Sequence, residues 1–250
     1  MHKVRIAPTL LYKNNLVKGK NFKSWRVVGN LYQMIKLYNL REVDELIFFD
    51  IDANKNNSIQ FSLIDEFADE CFVPLTIGGG IKSLDDIENL LKVGADKVCI
   101  NSSAIKDMNF LEKAINKYGS QCVIISIDYK VNKNNQKEIF IDSGNTPTGI
   151  LLENFIEKIN QIGPGEILVT SIDHDGIMKG YDIDTINKIS KSSDVPIIAS
   201  GGAGKLHDFF DIIDKTDIKA LSAASIFHFT EITPLDVKIY LDQKGIKVRL

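Results

Sequence analysis

Disulfide stapling has no material in this chain. Its three cysteines are an odd number and each precedes an apolar residue: Cys71 before Phe72, Cys99 before Ile100 and Cys122 before Val123. That is the pattern of free, buried thiols in a reducing compartment. No Cys-x-x-Cys pair and no Gly-x-Cys-x-Gly elbow is present, so neither a zinc knuckle nor a thiol nucleophile is suggested. An excess of one charge is missing as well. Against 30 Lys and Arg stand 33 Asp and Glu, a net charge of −3, with no acidic tail and nothing that marks a nucleic-acid binder. No apolar run approaches the ~20 residues of a membrane span, and Met1 to Pro8 is too short and too mixed for a secretory leader. No linker rich in Pro, Gly or Ser interrupts the chain, so one domain over residues 1–250 is expected. A cytoplasmic protein without nucleic-acid or membrane partners is the corresponding expectation.

What the sequence does contain is alternation. Short β-branched runs take turns with amphipathic stretches of helical period, the pattern of parallel strands joined by crossover helices. Strands are predicted at Val4 to Leu11, Glu45 to Asp50, Val73 to Ile77, Lys97 to Ile100, Cys122 to Asp128, Glu166 to Ser171, Val195 to Ser200 and Ala220 to Ala223. Helices are predicted near Asn30 to Tyr38, Ser62 to Cys71, Ser83 to Val93, Met108 to Lys117, Leu151 to Ile162, Ile183 to Lys191, Leu206 to Asp214 and Pro234 to Lys244. Eight of each in one chain of this size predict an α/β protein, a single (βα)8 TIM barrel.

The second half repeats the first. Pro74 to Gly80 resembles Pro196 to Gly202 at an offset of 122, and Glu45-Leu46-Ile47 with Asp52 resembles Glu166-Ile167-Leu168 with Asp173 at 121. Lys97 to Ser102 overlays Ala220 to Ser225, and Leu11-Tyr12-Lys13 overlays Asp128-Tyr129-Lys130. Two half-barrels of four units each are implied.

The repeat doubles a chemical feature. Gly78-Gly79-Gly80 and Gly201-Gly202 each follow a strand, where glycine lets backbone N–H groups approach an anion. Asn101-Ser102 and Ala224-Ser225 can add donors to the same oxygens. A tight turn without a ligand would use the same residues singly. Two matched loops at one mouth point to a substrate with a phosphate at each end. Acid and base groups belong at the same strand ends, and Asp50, Asp52, Asp128, Asp173 and Asp175 all fall there. Opposite Asp128, however, the repeat places Leu11. At the other end of the barrel Arg5, Glu45, Lys97 and Glu166 each open a strand; they are either solvated entry charges or a ring of ion pairs. His174 and His228 lack the spaced partners of a metal site. Lys13 to Gly29, which holds Trp25, is long for a loop and reads either as a lid or as a surface excursion. Lys130 to Lys137 reads as a solvated loop leading into a small excursion through Glu138 to Asp142.

Together, Val17-Lys18-Gly19, Asp44-Glu45-Leu46, Thr76 to Ile81, Gly94 to Val98, Ile100-Asn101, Gly119-Ser120-Gln121, Gly165 to Leu168, Asp175-Gly176, Ala199 to Gly204 and Ala223 to Phe229 resemble the cyclase subunit of imidazole glycerol phosphate synthase, of histidine biosynthesis. The resemblance covers nearly the whole chain. It implies a barrel docked by its N-terminal face to a separate glutaminase as a heterodimer, with Asp96 and Gln121 near that contact. Ammonia would enter between Arg5, Glu45, Lys97 and Glu166 and cross the core. At the far mouth a bisphosphate carrying an aminoimidazole carboxamide would be split and cyclised. Lys18, Gly80, Asn101, Ser102, Asp175, Gly176, Gly202, Ala224 and Ser225 match substrate and phosphate positions, and Asp128 matches one of two catalytic aspartates. No metal and no cofactor is implied. The second aspartate falls on Leu11 when counted forward from Arg5, and on Leu10 when counted back from Val17. Asp52 and Ile177 stand where the family usually carries threonine. The departure at Leu11 also resembles divergent paralogues that supply ammonia to sugar amidotransferases in surface-polysaccharide synthesis.

Overall fold

The predicted alternation closes on itself. A computed structural model describes residues 3–250, so Met1 and His2, the start of the segment read as too short for a leader, lie outside the described residues. In chain order the elements are β1 (Arg5–Lys13), β2 (Asn15–Lys20), β3 (Lys23–Gly29), α1 (Leu31–Leu40), β4 (Leu46–Asp50), α2 (Ala53–Asn56), α3 (Phe61–Ala68), β5 (Leu75–Gly78), α4 (Leu84–Lys92), β6 (Lys97–Ile100), α5 (Ser102–Lys106) and α6 (Met108–Tyr118). There follow β7 (Val123–Val131), β8 (Lys137–Ile141), β9 (Thr146–Leu151), α7 (Leu152–Ile162), β10 (Glu166–Ser171), α8 (Ile183–Ser192), β11 (Ile197–Ser200), α9 (Leu206–Lys215), β12 (Ala220–Ala223), α10 (Ser225–Phe229) and α11 (Pro234–Gln243). Strands β1, β4, β5, β6, β7, β10, β11 and β12 pair in parallel in that order, and β12 returns to β1. This is a single (βα)8 TIM barrel.

Barrel strands bury both faces, which is why they read as unbroken apolar runs such as Leu46-Ile47-Phe48-Phe49. Ala7, Ile47, Cys99, Ile124, Leu168, Ile198 and Ala220 fill the barrel interior. Ile6, Leu10, Leu46 and Phe48 face outward into the larger layer shared with the helices. Capping boxes fix the entries of α4 (Ser83 with Asp86) and α11 (Thr233 with Asp236, Pro234 in the first turn).

Three expectations are corrected. β5 and β11 begin after Pro74 and Pro196 rather than at Val73 and Val195, because proline has no N–H for the ladder. Both prolines still accept, from Leu46 N and Ile167 N at 2.9 Å, so the two half-barrels share this device. The stretch from Lys13 to Gly29 is neither loop nor inert excursion but the antiparallel hairpin β2–β3. The loop expected from Lys130 to Lys137 is a largely exposed turn over residues 132–136, trimmed because β7 runs on to Val131, and the hairpin β8–β9 that follows makes Leu151 end a strand instead of opening a helix.

Candidate functional site

At the C-terminal ends of the barrel strands lies a cavity of about 340 Å³, bordered by both glycine loops. Gly79, Gly80, Gly201 and Gly202 all have positive φ. A Cβ on Gly79 would sit 2.2 Å from the Asp50 carbonyl oxygen, and one on Gly202 2.1 Å from that of Gly180. The chain therefore requires glycine here for close backbone approach as well as for conformation. The predicted residues Lys18, Gly80, Asn101, Ser102, Asp128, Asp175, Gly176, Gly202, Ala224 and Ser225 all line this one cavity.

The carboxylates separate by environment. Asp128, near the end of β7, is buried and receives the Asn101 amide at 3.1 Å, while the same amide also reaches the Ser126 carbonyl at 3.0 Å. Burial, aided by the negative charge of Asp175, pushes the Asp128 carboxyl up to about 7. Burial also raises Asp175, opposed by the charge of Lys18. Lys18 is 2% exposed and donates to the Thr9 carbonyl at 2.9 Å; burial lowers its pKa, and Asp175 works against that. Asp50 lines the cavity but is held by Gln60 at 2.9 Å and by the main-chain N–H groups of Asp52 and Ala53 at 3.1 Å. The remaining two rim aspartates are structural: Asp52 pairs with Lys13 at 3.5 Å, and Asp173 accepts from Val131 N at 2.9 Å. The five carboxylates of the sequence thus become three at the cavity. Neither Asp52 nor Ile177 borders it.

The alternation of β1 decides between the two leucines. Leu10 points outward and is 1% exposed in the layer between barrel and helices, whereas Leu11 lines the mouth beside Phe49. The position facing the cavity is Leu11. His174 bonds through Nδ1 to the Ser171 hydroxyl at 2.8 Å, and the half-buried His228 has no partner at Nε2. Among the described residues no group of His, Cys, Asp and Glu could hold a metal ion.

The segment from Lys13 to Gly29, read as either a lid or a surface excursion, covers the site on one side, where Phe22 and Trp25 of the β2–β3 hairpin line it. The cover on another side, Ser143 of the β8–β9 turn, was missed by sequence reasoning. Asn21 of the first hairpin donates from Nδ2 to the Ile172 and Asp173 carbonyls at 2.9 and 3.0 Å. Asn54, Lys82 and Lys106 on the rim were also missed, since three separated segments supply that edge and no local motif marks it.

At the opposite end the four strand-entry charges interlock. Arg5 Nη1 meets Glu45 at 3.0 Å, its Nη2 meets Glu166, and Lys97 lies 2.6 Å from Glu166 and 3.5 Å from Glu45. Burial alone would raise Glu166, but the Arg5 hydrogen bond and charge, with Lys97, hold it below the ordinary glutamate range. Gln121 borders the same N-terminal recess as Arg5, Lys97 and Glu166, and exposed Asp96 accepts from Leu75 N at 2.8 Å.

Fold and site together define a (βα)8-barrel protein of two half-barrels, with a charged ring at one end and a buried acid between two glycine loops at the other. The family model described as "Histidine biosynthesis protein" matches residues 5–233, and the chain belongs to that family. An imidazole glycerol phosphate synthase subunit HisF of Natranaerobius thermophilus is 41% identical over 248 residues, 98% of both chains. One of Staphylococcus carnosus is 42% identical over 252 residues, covering 100% of this chain and 99% of its own. A Campylobacter jejuni protein provisionally named as the synthase subunit hisF2 is 45% identical over 251 residues, the full length of both. No helix of the described residues is long and apolar enough to cross a membrane.

Proposed function

We propose that this chain is the cyclase-type subunit of an imidazole glycerol phosphate synthase, using ammonia from a partner glutaminase on a bisphosphate substrate. The observation that carries the reading is the Asp128 carboxyl, buried between the two glycine loops with its pKa pushed up to about 7. Building ammonia nitrogen into a ring requires N–H protons to be removed and a departing group to be protonated. A group titrating near neutrality performs both transfers. Above about 7 Asp128 is the carboxylate that accepts; once protonated it donates. Asn101 fixes its orientation. The backbone around Gly80 and Gly202, with Asn101, Ser102, Ala224 and Ser225, holds the two phosphates. Lys18, Asp175 and Gly176 contact the middle of the ligand.

The ring of Arg5, Glu45, Lys97 and Glu166 supports a gate for ammonia, because its members lie on the barrel axis opposite the mouth. Exposed Asp96 and Gln121 beside it suit the glutaminase contact, giving a heterodimer. We read residues 1–250 as one barrel unit, and the three free cysteines suit a cytoplasmic, reducing compartment. Delivery of ammonia to a sugar amidotransferase gains no support: the reported relatives are named for the synthase, and Leu11 bears on rate rather than on destination.

The test is direct. Purified protein given the synthase's bisphosphate substrate and an ammonium salt at alkaline pH is expected to release the imidazole product. Asp128→Asn is expected to lower the rate ~10²- to 10⁴-fold, the usual weight of one general acid–base group. Absence of product above a no-enzyme control overturns the cyclase reading.

A further inference from the structure

The two ends of the mouth match in backbone but not in charge. Around Gly202 the lining side chains from Ser200 to Ala203 and from Ala223 to Ser225 carry no charge and the neighbouring Asp175 is acidic, whereas the cations Lys82 and Lys106 border the Gly80 end. Lys106 Nζ lies 3.3 and 3.5 Å from the two carboxylate oxygens of Asp142, in the β8–β9 turn. Asn54 Nδ2 donates to the same carboxylate at 3.1 Å, and the Asp142 main-chain N–H donates to Ser102 Oγ at 3.0 Å. Asn54 borders the glycine loop: a Cβ on Gly80 would come within 2.9 Å of the Cβ of Ala53, its chain neighbour. Lys82 Nζ approaches the Asn54 carbonyl at 3.4 Å. One carboxylate therefore gathers an ammonium from α5 and an amide from α2 at the edge of the cavity. An ammonium and an amide N–H converging on one point form a donor set for phosphate oxygens.

The contact is also easy to exchange. The Lys106 and Asp142 side chains are 55% and 32% exposed, and ion pairs so open to water hold weakly. A phosphate dianion carries more charge and more acceptor oxygens than a carboxylate, and so competes well for the same donors.

We propose that Lys106 and Asn54 bind the ligand's phosphate at the Gly80 end, and that the Asp142 carboxylate is an internal substitute for that phosphate, displaced when the ligand arrives. The inference rests on the phosphate reading of the mouth and adds an exchange step to it. It also makes the Gly80 end the one selective for a doubly charged phosphate monoester over a singly charged group. Displacement has a route to the lid. Gly144, two residues after Asp142, packs so closely on Phe22 of the other hairpin that a Cβ there would lie 2.9 Å from its ring. Freeing Asp142 thus loosens the contact between the two hairpins that cover the site.

The experiment is a calorimetric titration of inorganic phosphate at ionic strength held constant with chloride. It compares the unmodified protein with Asp142→Ala, Lys106→Ala and the double variant; Asp142→Asn, of equal size, replaces the alanine variant should that fail to fold. Removing the carboxylate is expected to tighten phosphate binding about two- to fivefold, the range set by a partly exposed pair. Lys106→Ala is expected to weaken it, and Asp142→Ala to tighten it less once Lys106 is gone, since only Asn54 is then released. Unchanged or weaker binding by the Asp142 variants, or tightening that persists undiminished without Lys106, overturns the exchange alone. Phosphate binding by none of the proteins overturns the phosphate reading of the mouth and the exchange with it.

Discussion

Asp128 and Leu11 occupy corresponding positions in the two half-barrels, yet only one can carry a proton. On the proposed reading Asp128 would both accept and donate, because the side chain across the mouth is a hydrocarbon. Leu11 is half-buried and borders the cavity, so an aspartate there would meet the ligand and not the core. Leu11→Asp is expected to raise the rate of ammonium-dependent cyclisation about tenfold or more, toward the lower end of what one added acid–base group contributes. Steady-state kinetics check this, and an unchanged or lower rate would place the limitation elsewhere. Asp128 and Leu11 were both legible in the sequence because the repeat is local and exact in type: Tyr-Lys follows each. The roles of Asp52 and Asp173 were not legible. A carboxylate at a strand end serves a neighbouring N–H or a lysine as readily as a substrate, and only the packed loops decide, as Val131 N does for Asp173.

Among the elements, strands and crossover helices were readable from periodicity, while the two hairpins over the mouth were not. In β2 four consecutive residues, Leu16 to Gly19, are buried, including Lys18, so the period-2 signal of a half-exposed strand is absent. β3 has no buried residue, and its exposed positions mix the charged Lys23 and Arg26 with Ser24 and Val27, so no apolar–polar alternation marks it. The glycine loops behave in the opposite way, since their conformation is dictated by sequence. At Gly202 a φ of +118° and the nearby Gly180 carbonyl oppose any side chain. Gly202→Ala is expected to destabilise the fold by about 1–3 kcal/mol, combining the positive-φ cost with local displacement. It should also weaken phosphate binding. Gly163→Ala is a control: its φ is +68° but nothing lies within 4 Å of the added Cβ, so only the conformational share remains. Urea denaturation of the two variants measures the difference; equal losses would show that backbone approach at Gly202 contributes nothing.

For the molecule as a whole, the net charge of −3 conceals a division of labour between its ends. Carboxyls raised toward neutrality, Asp128 and Asp175, collect at the mouth, whereas Glu166 at the bottom is held below the ordinary range by Arg5 and Lys97. Glu166 sits below the ordinary glutamate range in the fold, so its contribution to stability is full above that range and is lost as pH falls through the depressed value. Arg5 bridges Glu45 and Glu166, and removing it leaves two carboxylates with Lys97 alone between them. A third of the Arg5 side chain is exposed, so its loss belongs between an exposed pair, worth under about 1 kcal/mol, and a buried one, where breakage costs about 3–5 kcal/mol. Arg5→Ala is therefore expected to cost about 1–3 kcal/mol at neutral pH, and the loss should shrink toward acid as Glu166 protonates. Urea melts of both proteins from pH 7 down to pH 3 test this. A gap that stays constant with pH would mean that Arg5 acts through packing of its stem and not through the ring, and would remove the electrostatic basis for treating that ring as a gate.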